Sequence, residues 1–282
     1  MRRGREAGGR VWRRPLVADV AVLAVLALYA IPFLWQLLTS FKPEAELLRM
    51  PPLWPSRFTL EHYGVVFAQS AMPRALANSL GVGLLTTLLA CALGVPAAYA
   101  MATLRVPGAS ALMLGIVAST AFPQIATVSP LYLVMRGLGL RDTWTALVLA
   151  DTSFALPFVI WLMTRFMREI PRELSEAAAL DGAGRWRTLL RIHLPLTAPG
   201  LASVALLTFL FAWNEFLFAF TFTATEASRT VPVALALFPG VFEVPWGDIA
   251  AASILASVPP VLIVVLLQRW LVRGLLAGAL TE

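Results

Sequence analysis

Apolar residues in this chain neither alternate with polar ones nor form one narrow stripe at helical spacing. They come in long, nearly unbroken runs separated by short polar stretches. A helix needs about 20 mostly apolar residues to cross hydrocarbon. Six runs reach that length: 16–38, 79–104, 109–135, 143–162, 200–224 and 249–272. Strands of a membrane barrel would instead show short alternating segments of roughly 10 residues. The pattern predicts an all-α integral membrane protein with six transmembrane helices. Pro123 and Pro130 in the third run, and Pro259 and Pro260 in the sixth, are expected to kink or break their helices. The first run, with 23 residues, exceeds the roughly 7–15 of a signal-peptide core and has no A-x-A site after it. It reads as a membrane span, with only Asp19 near its start.

Composition sharpens this picture. The chain has 282 residues, of which 59% are hydrophobic and 13% charged, and a mean hydropathy of +0.78. A soluble domain carries about 25% charged residues and about 45–50% apolar ones. The net charge of +6 comes from Arg set beside apolar runs, which is loop charge at a membrane rather than a nucleic-acid surface. Counted by loop, 15 of the 22 Lys and Arg residues fall on one side. That side holds the tail 1–15, the second-to-third turn, the loop 168–199 and the C-terminal segment 273–282, so both termini and the 168–199 loop are expected to be cytoplasmic. The domain 16–272 then carries two long outside loops, 39–78 and 225–248, both punctuated by Pro.

Catalytic chemistry finds little support. Lys42 is the one Lys and sits in Ser40-Phe41-Lys42-Pro43, which is no P-loop. The one Cys, Cys91, and the two His, His62 and His193, form no metal-ligand pattern. No cofactor bound by this chain is expected, and no metal.

The 168–199 loop is the most specific stretch. Pro171 suits the first position of a helix, and Glu173 and Glu176 suit its positive N-terminal end. Ala177, Ala178 and Ala179 favour helix, and Gly182 supplies a left-handed stop. A second short helix is expected over about 185–193, running into Leu194-Pro195. The small side chains would let another protein approach closely; a helix lying on lipid would need large apolar residues on one face.

The pattern Glu176-Ala177-Ala178, then Gly182, then Ile192 and Leu194-Pro195 resembles the EAA loop of bacterial ABC importer permeases. Phe211-Ala212-Trp213-Asn214-Glu215-Phe216, Ser40-Phe41-Lys42-Pro43 and Asn78-Ser79 resemble signatures of the carbohydrate-uptake branch, and the similarity is to the smaller six-span permease of maltose- and trehalose-type importers. The resemblance implies an inner-membrane, multi-pass subunit of an ATP-driven sugar importer. Implied partners are a second permease, two cytoplasmic ATPase subunits that bind ATP-Mg, and an extracytoplasmic sugar-binding protein. Glu176, Ala177, Ala178, Leu180, Asp181 and Gly182 would then contact the ATPase. The C-terminal segment keeps the family's glycines and lacks its Lys.

Charges within spans are costly and normally face a bundle interior or a wet cavity. Asp151, Trp213, Asn214, Glu215 and Phe216 are therefore candidates for a sugar path, with helix-to-helix hydrogen bonding as the competing role for the polar ones. Phe238, Pro239, Gly240 and Phe242 are candidate contacts for the binding protein. The competing classes are an ion-coupled secondary transporter or channel, and an intramembrane enzyme using Asp151 with Glu215. The first leaves the EAA loop without a task, and the second lacks a nucleophile motif.

Overall fold

The computed structural model describes residues 16–47, 52–104, 106–238 and 244–279. The expected tail 1–15 lies outside them, as do Pro239, Gly240 and Phe242. Every regular element among the described residues is helical: α1 (Leu16–Thr39), α2 (Glu44–Leu47), α3 (Glu61–Gln69), α4 (Met72–Thr103), α5 (Ala109–Ser119), α6 (Gln124–Gly137) and α7 (Trp144–Arg168). Then follow α8 (Arg172–Leu180), α9 (Arg185–Thr188), α10 (Leu194–Leu196), α11 (Ala198–Asn214), α12 (Leu217–Phe222), α13 (Val231–Ala236) and α14 (Trp246–Ala279). Between α9 and α10 the residues Leu189–His193 wind as a π-turn.

Helices α1, α4, α7 and α14 are each long and apolar enough to cross a membrane alone. Six crossings result when each of two bent helix pairs is counted as one span. The third expected span is one of these, bent by 91° between α5 and α6. Its break follows from Pro123, which stands in extended geometry (φ −65°, ψ 128°) as the cap of α6. Proline lacks the N–H that would continue the ladder. Pro130 stays inside α6, and Pro259 and Pro260 stay inside a continuous α14. The sixth span is not broken at its prolines but runs on as helix through them, while Ala251, Ala252 and Ala256, about one to two turns earlier, pack into a buried cluster with Phe209 and Trp213. α14 also continues to Ala279, so most of 273–282 extends the last helix.

The centre is built by α4, α7, α11 and α14. Glycines let these helices meet closely: a Cβ on Gly94 would stand 2.5 Å from Val159 Cγ1, and one on Gly200 would stand 2.6 Å from the Phe166 ring. Without a hydrophobic drive between helices in lipid, such close backbone approach supplies the dispersion energy. α1 packs chiefly on α14, and its residues Leu23, Tyr29 and Phe33 are exposed.

The end opposite α8 is a rim of interlocked loops. α4 begins at Met72, earlier than its hydropathy suggests, because Arg74 and Asn78 dilute the apolar run. Asn78 is fully buried. Its amide donates to the carbonyl of Arg229 at 2.8 Å and accepts from Trp144 Nε1 at 3.1 Å, while Ser79 Oγ accepts from the N–H of Val231 at 2.8 Å. Asn78-Ser79 thus ties the 225–238 segment to α4 and α7. Nearby, His62 Nε2 donates to the carbonyl of Lys42 at 2.9 Å, and its Nδ1 lies 2.7 Å from Asp248 Oδ1. This joins α3 to the start of α14. Lys42 is fully buried, with its ammonium 4.0 Å from the Trp35 ring centroid.

Candidate functional site

α8 is short, and its ends explain why it forms. Pro171 is its N-cap rather than its first helical residue, leaving the first turn to Arg172, Glu173 and Leu174. At the other end Gly182 has φ +74°. Its N–H donates to the Ala179 carbonyl at 3.1 Å, and the Ala183 N–H donates to the Ala178 carbonyl at 2.8 Å. These paired bonds are a Schellman closure, which requires a left-handed residue at the position of Gly182.

The faces of α8 divide the expected contact residues. Glu176, Ala177, Leu180, Asp181 and Gly182 are exposed, Leu180 at 90%. Ala178 is 6% exposed and turned toward the chain's own body. It belongs to the seat of the helix, not to the surface offered to another protein, because one face of so short a helix must pack inward to be held at all.

Sequence reasoning missed the residue that completes this seat. His193, 1% exposed, places Nε2 2.8 Å from Ser175 Oγ on α8. Its ring stands edge-on to Tyr99 near the end of α4, with centroids 4.9 Å apart. Burial pushes the His193 imidazole below its usual range, so the neutral ring is the one packed here. A recess of about 510 Å³ lies alongside, lined by Met101, Met167, Arg172, Ser175 and His193 among others. The π-turn of Leu189–His193 re-aims the side chains there, and it belongs to the fold rather than to any pattern in the sequence.

At mid-chain the fifth span is broken where continuity was expected. α11 stops at Asn214, and Glu215 adopts extended geometry (φ −65°, ψ 125°) before α12 begins. The Glu215 carboxylate accepts from the N–H groups of Phe218 at 2.7 Å and Ala219 at 3.0 Å. An acceptor at a helix N-terminus satisfies otherwise orphaned donors and complements the dipole. Glu215 is therefore a capping residue, 6% exposed.

The remaining path candidates separate. Trp213 is 4% exposed and packs with Phe209, their centroids 5.6 Å apart, in the cluster holding Val66, Met72 and Ala252. It faces away from any path. Asp151 is 1% exposed within α7 and lines none of the recesses around the breaks. Asn214 and Phe216 are exposed beside the break and line a recess of about 540 Å³ with Gln124, Leu210, Phe211 and Leu217. Alternation at the break sends 213 and 215 inward and 214 and 216 outward. A continuous helix, as the sequence suggested, would have scattered them over about 100° steps.

At the end opposite α8, Asp142 gathers the loop 224–228. It accepts from the N–H groups of Ala224 at 2.8 Å and Thr225 at 3.1 Å, from Thr225 Oγ1 at 2.7 Å and from Ser228 Oγ. Burial alone would raise its carboxyl, but these hydrogen bonds outweigh that and hold it well below the usual carboxylate range. Phe238 is partly buried against the cluster of Val66 and Met72, so only part of its ring is free for a partner.

Comparison with known proteins bears on this arrangement. Residues 90–277 match the family described as binding-protein-dependent transport system inner membrane component. The chain is 43% identical over 263 residues to the trehalose transport system permease protein SugB of Mycobacterium tuberculosis, spanning 92% of this chain and 96% of that protein. It is 38% identical over 268 residues to the trehalose/maltose transport system permease protein MalG of Thermococcus litoralis, spanning 94% and 95%. It is also 39% identical over 261 residues to the sulfoquinovosyl glycerol transport system permease protein SmoH of Agrobacterium fabrum, spanning 92% and 91%. In fold it is similar to a chain of a bacterial ABC transporter involved in the import of the acidic polysaccharide alginate, with a TM-score of 0.80, 22% identity, and coverage of 90% of this chain and 95% of that one. With its helical membrane architecture and a match that covers more than half its length, the chain belongs to the family of binding-protein-dependent transport system inner membrane components and is a transport subunit, not an enzyme.

Proposed function

We propose that this chain is the permease subunit of an ATP-driven, binding-protein-dependent importer of a sugar, of the disaccharide or oligosaccharide class. A second, different permease chain completes the path, two ATPase subunits supply ATP-Mg hydrolysis from the cytoplasm, and an extracytoplasmic binding protein delivers the sugar to the outer loops. Relatives named for trehalose and maltose transport support the substrate class. The charge asymmetry of the loops supports a cytoplasmic α8 and cytoplasmic termini.

One observation carries the coupling role. α8 is locked to the body on its Ala178 and Ser175 side and offers Glu176, Ala177, Leu180 and Asp181 outward. A leucine left 90% exposed at the tip of a rigid helix outside the spans gains by burial in a partner, about 1.5–3 kcal/mol for a full side chain. Motion of an ATPase pair would pass through that contact into α7 and α11, the helices on either side of the loop.

Leu180→Asp tests this. The variant should insert and fold as wild type, because Leu180 makes no part of the core. ATPase subunits should be lost from the purified complex, and sugar uptake should fall at least tenfold. Full ATPase retention and uptake in Leu180→Asp would remove the coupling role from α8.

A further inference from the structure

The breaks of the third and fifth spans border the same groove. Three adjoining recesses, of about 430, 540 and 540 Å³, share Thr120, Phe122 and Phe154, or Gln124 and Phe211. Thr120, Ala121 and Phe122 at the break of the third span are exposed. Non-helical backbone at membrane depth is tolerated where it is buried in protein or lines a wet cavity, and not against lipid. Two such breaks meeting at one groove mark its wall as facing protein or a wet cavity and not lipid.

The lining has a definite chemistry. Six aromatic side chains border it: Phe122, Phe154, Phe158, Trp161, Phe211 and Phe216. Between them stand the amides of Gln124 and Asn214. Asn214 Nδ2 gives one hydrogen to the Leu210 carbonyl at 2.7 Å, which leaves its second hydrogen and its carbonyl oxygen for a ligand. The hydroxyls of Ser119, Thr120, Thr127 and Ser153 donate to carbonyls in their own helices and so face the groove as acceptors. Among the described lining residues no Lys or Arg occurs, and the one ionisable side chain at the rim, Glu215, is acidic.

Resting on the sugar-import reading above, we propose that this wall is a saccharide subsite on this chain that selects uncharged sugars, with Phe216 and Phe211 packing on pyranose faces and Gln124 and Asn214 hydrogen-bonding to ring hydroxyls. Amphiphilic sugar rings match flat apolar surfaces flanked by amides that both donate and accept. An acidic saccharide would have its carboxylates or sulfonates desolvated here without a cation to pair them, beside a carboxylate of the same sign.

The test uses the complete importer with its partner permease, ATPases and binding protein, reconstituted in vesicles. Labelled trehalose and a uronic-acid disaccharide serve as probes, together with a photoreactive trehalose in a turnover-arrested complex. Uptake of trehalose over the acidic probe by at least tenfold is expected, with photolabel on peptides 119–124 or 210–217. Gln124→Leu and Phe216→Ala should each cut trehalose uptake at least fivefold while the ATPase subunits stay bound. Uptake of the acidic probe but not trehalose overturns the subsite and leaves sugar import standing. Unchanged trehalose uptake in both variants, or label on the partner permease or lipid alone, overturns the subsite likewise. Uptake by the wild-type complex of no saccharide from a panel of neutral and acidic di- and oligosaccharides that includes both probes overturns the sugar-import reading itself, and the subsite with it.

Discussion

The Glu215 carboxylate accepts from two backbone N–H groups in a buried setting, so its removal leaves both without a partner. Each unsatisfied buried donor costs about 1–3 kcal/mol. Glu215→Ala should therefore lower the thermal midpoint of the purified complex clearly, and Glu215→Gln less, since Gln keeps one acceptor oxygen. Equal midpoints for Glu215→Ala and wild type would show that the cap is dispensable. His193 makes a different prediction. Its folded pKa lies below the ordinary 6.5 because burial disfavours the cation. Above that value neither the folded nor the unfolded ring holds the extra proton, and the seat of α8 is intact. As pH falls below it, the unfolded ring takes up a proton that the buried ring resists, and stability is lost. ATPase retention should thus decline as pH falls below about 6.5, and decline less in His193→Gln, which cannot gain charge. A pH profile unaltered by the substitution would assign the titration elsewhere.

At the scale of the element, α8 depends on its closure more than on its length. A helix of nine residues is too short to persist alone. The left-handed Gly182 and the inward Ala178 hold it. A Cβ on Gly182 would meet nothing within 4 Å, so substitution there is a backbone effect without a clash. Gly182→Ala should weaken the closure by about 1–2 kcal/mol. Gly182→Asn should weaken it less, because Asn tolerates this conformation. ATPase co-purification should rank wild type above Gly182→Asn and Gly182→Asn above Gly182→Ala; the reverse order would disconnect the stop from docking. Ala178 leads to a different expectation from its neighbours. A larger residue there would unseat α8 from its own chain, whereas a change at Leu180 acts only on what lies outside.

Across the whole molecule, the helical centre is closed at one end by α8 and at the other by a rim of loops. Asp142 stands at φ 61°, a strained angle that Asp tolerates better than most residues. Its carboxylate collects three neighbours from 224–228, and its N–H donates to the Phe222 carbonyl at 2.9 Å. Residues from the turn between α6 and α7, from the end of α12 and from the loop beyond are thus one unit. Asp142→Ala should raise amide exchange at Ala224 and Thr225 roughly tenfold, the consequence of losing about 1.4 kcal/mol of hydrogen bonding. Exchange in α4 and α7 should not change. Protected amides at 224 and 225 in the variant would mean that other contacts hold the loop.

Six membrane crossings, their apolar character and the helix-stop pattern of 172–182 were legible in the residues, because each depends on local composition: a run long enough to span, a proline at a helix start, a glycine after an alanine stretch. Asn78-Ser79 and Ser40-Phe41-Lys42 could be singled out as words but not understood. Their partners, Trp144, Arg229, Val231, Tyr63 and His62, come from distant parts of the chain. The break at Glu215 was likewise hidden, since an apolar run looks the same whether or not a carboxylate within it caps a new helix. That break turned Trp213 inward and Asn214 outward. His193 carried no signal at all until α4 and α8 were packed around it. Hydropathy is a property of a residue and its neighbours in sequence, and so decides where helices form. Which face each helix turns to the path, to the core or to a partner depends on contacts between helices far apart in the chain, and only the tertiary structure decides it.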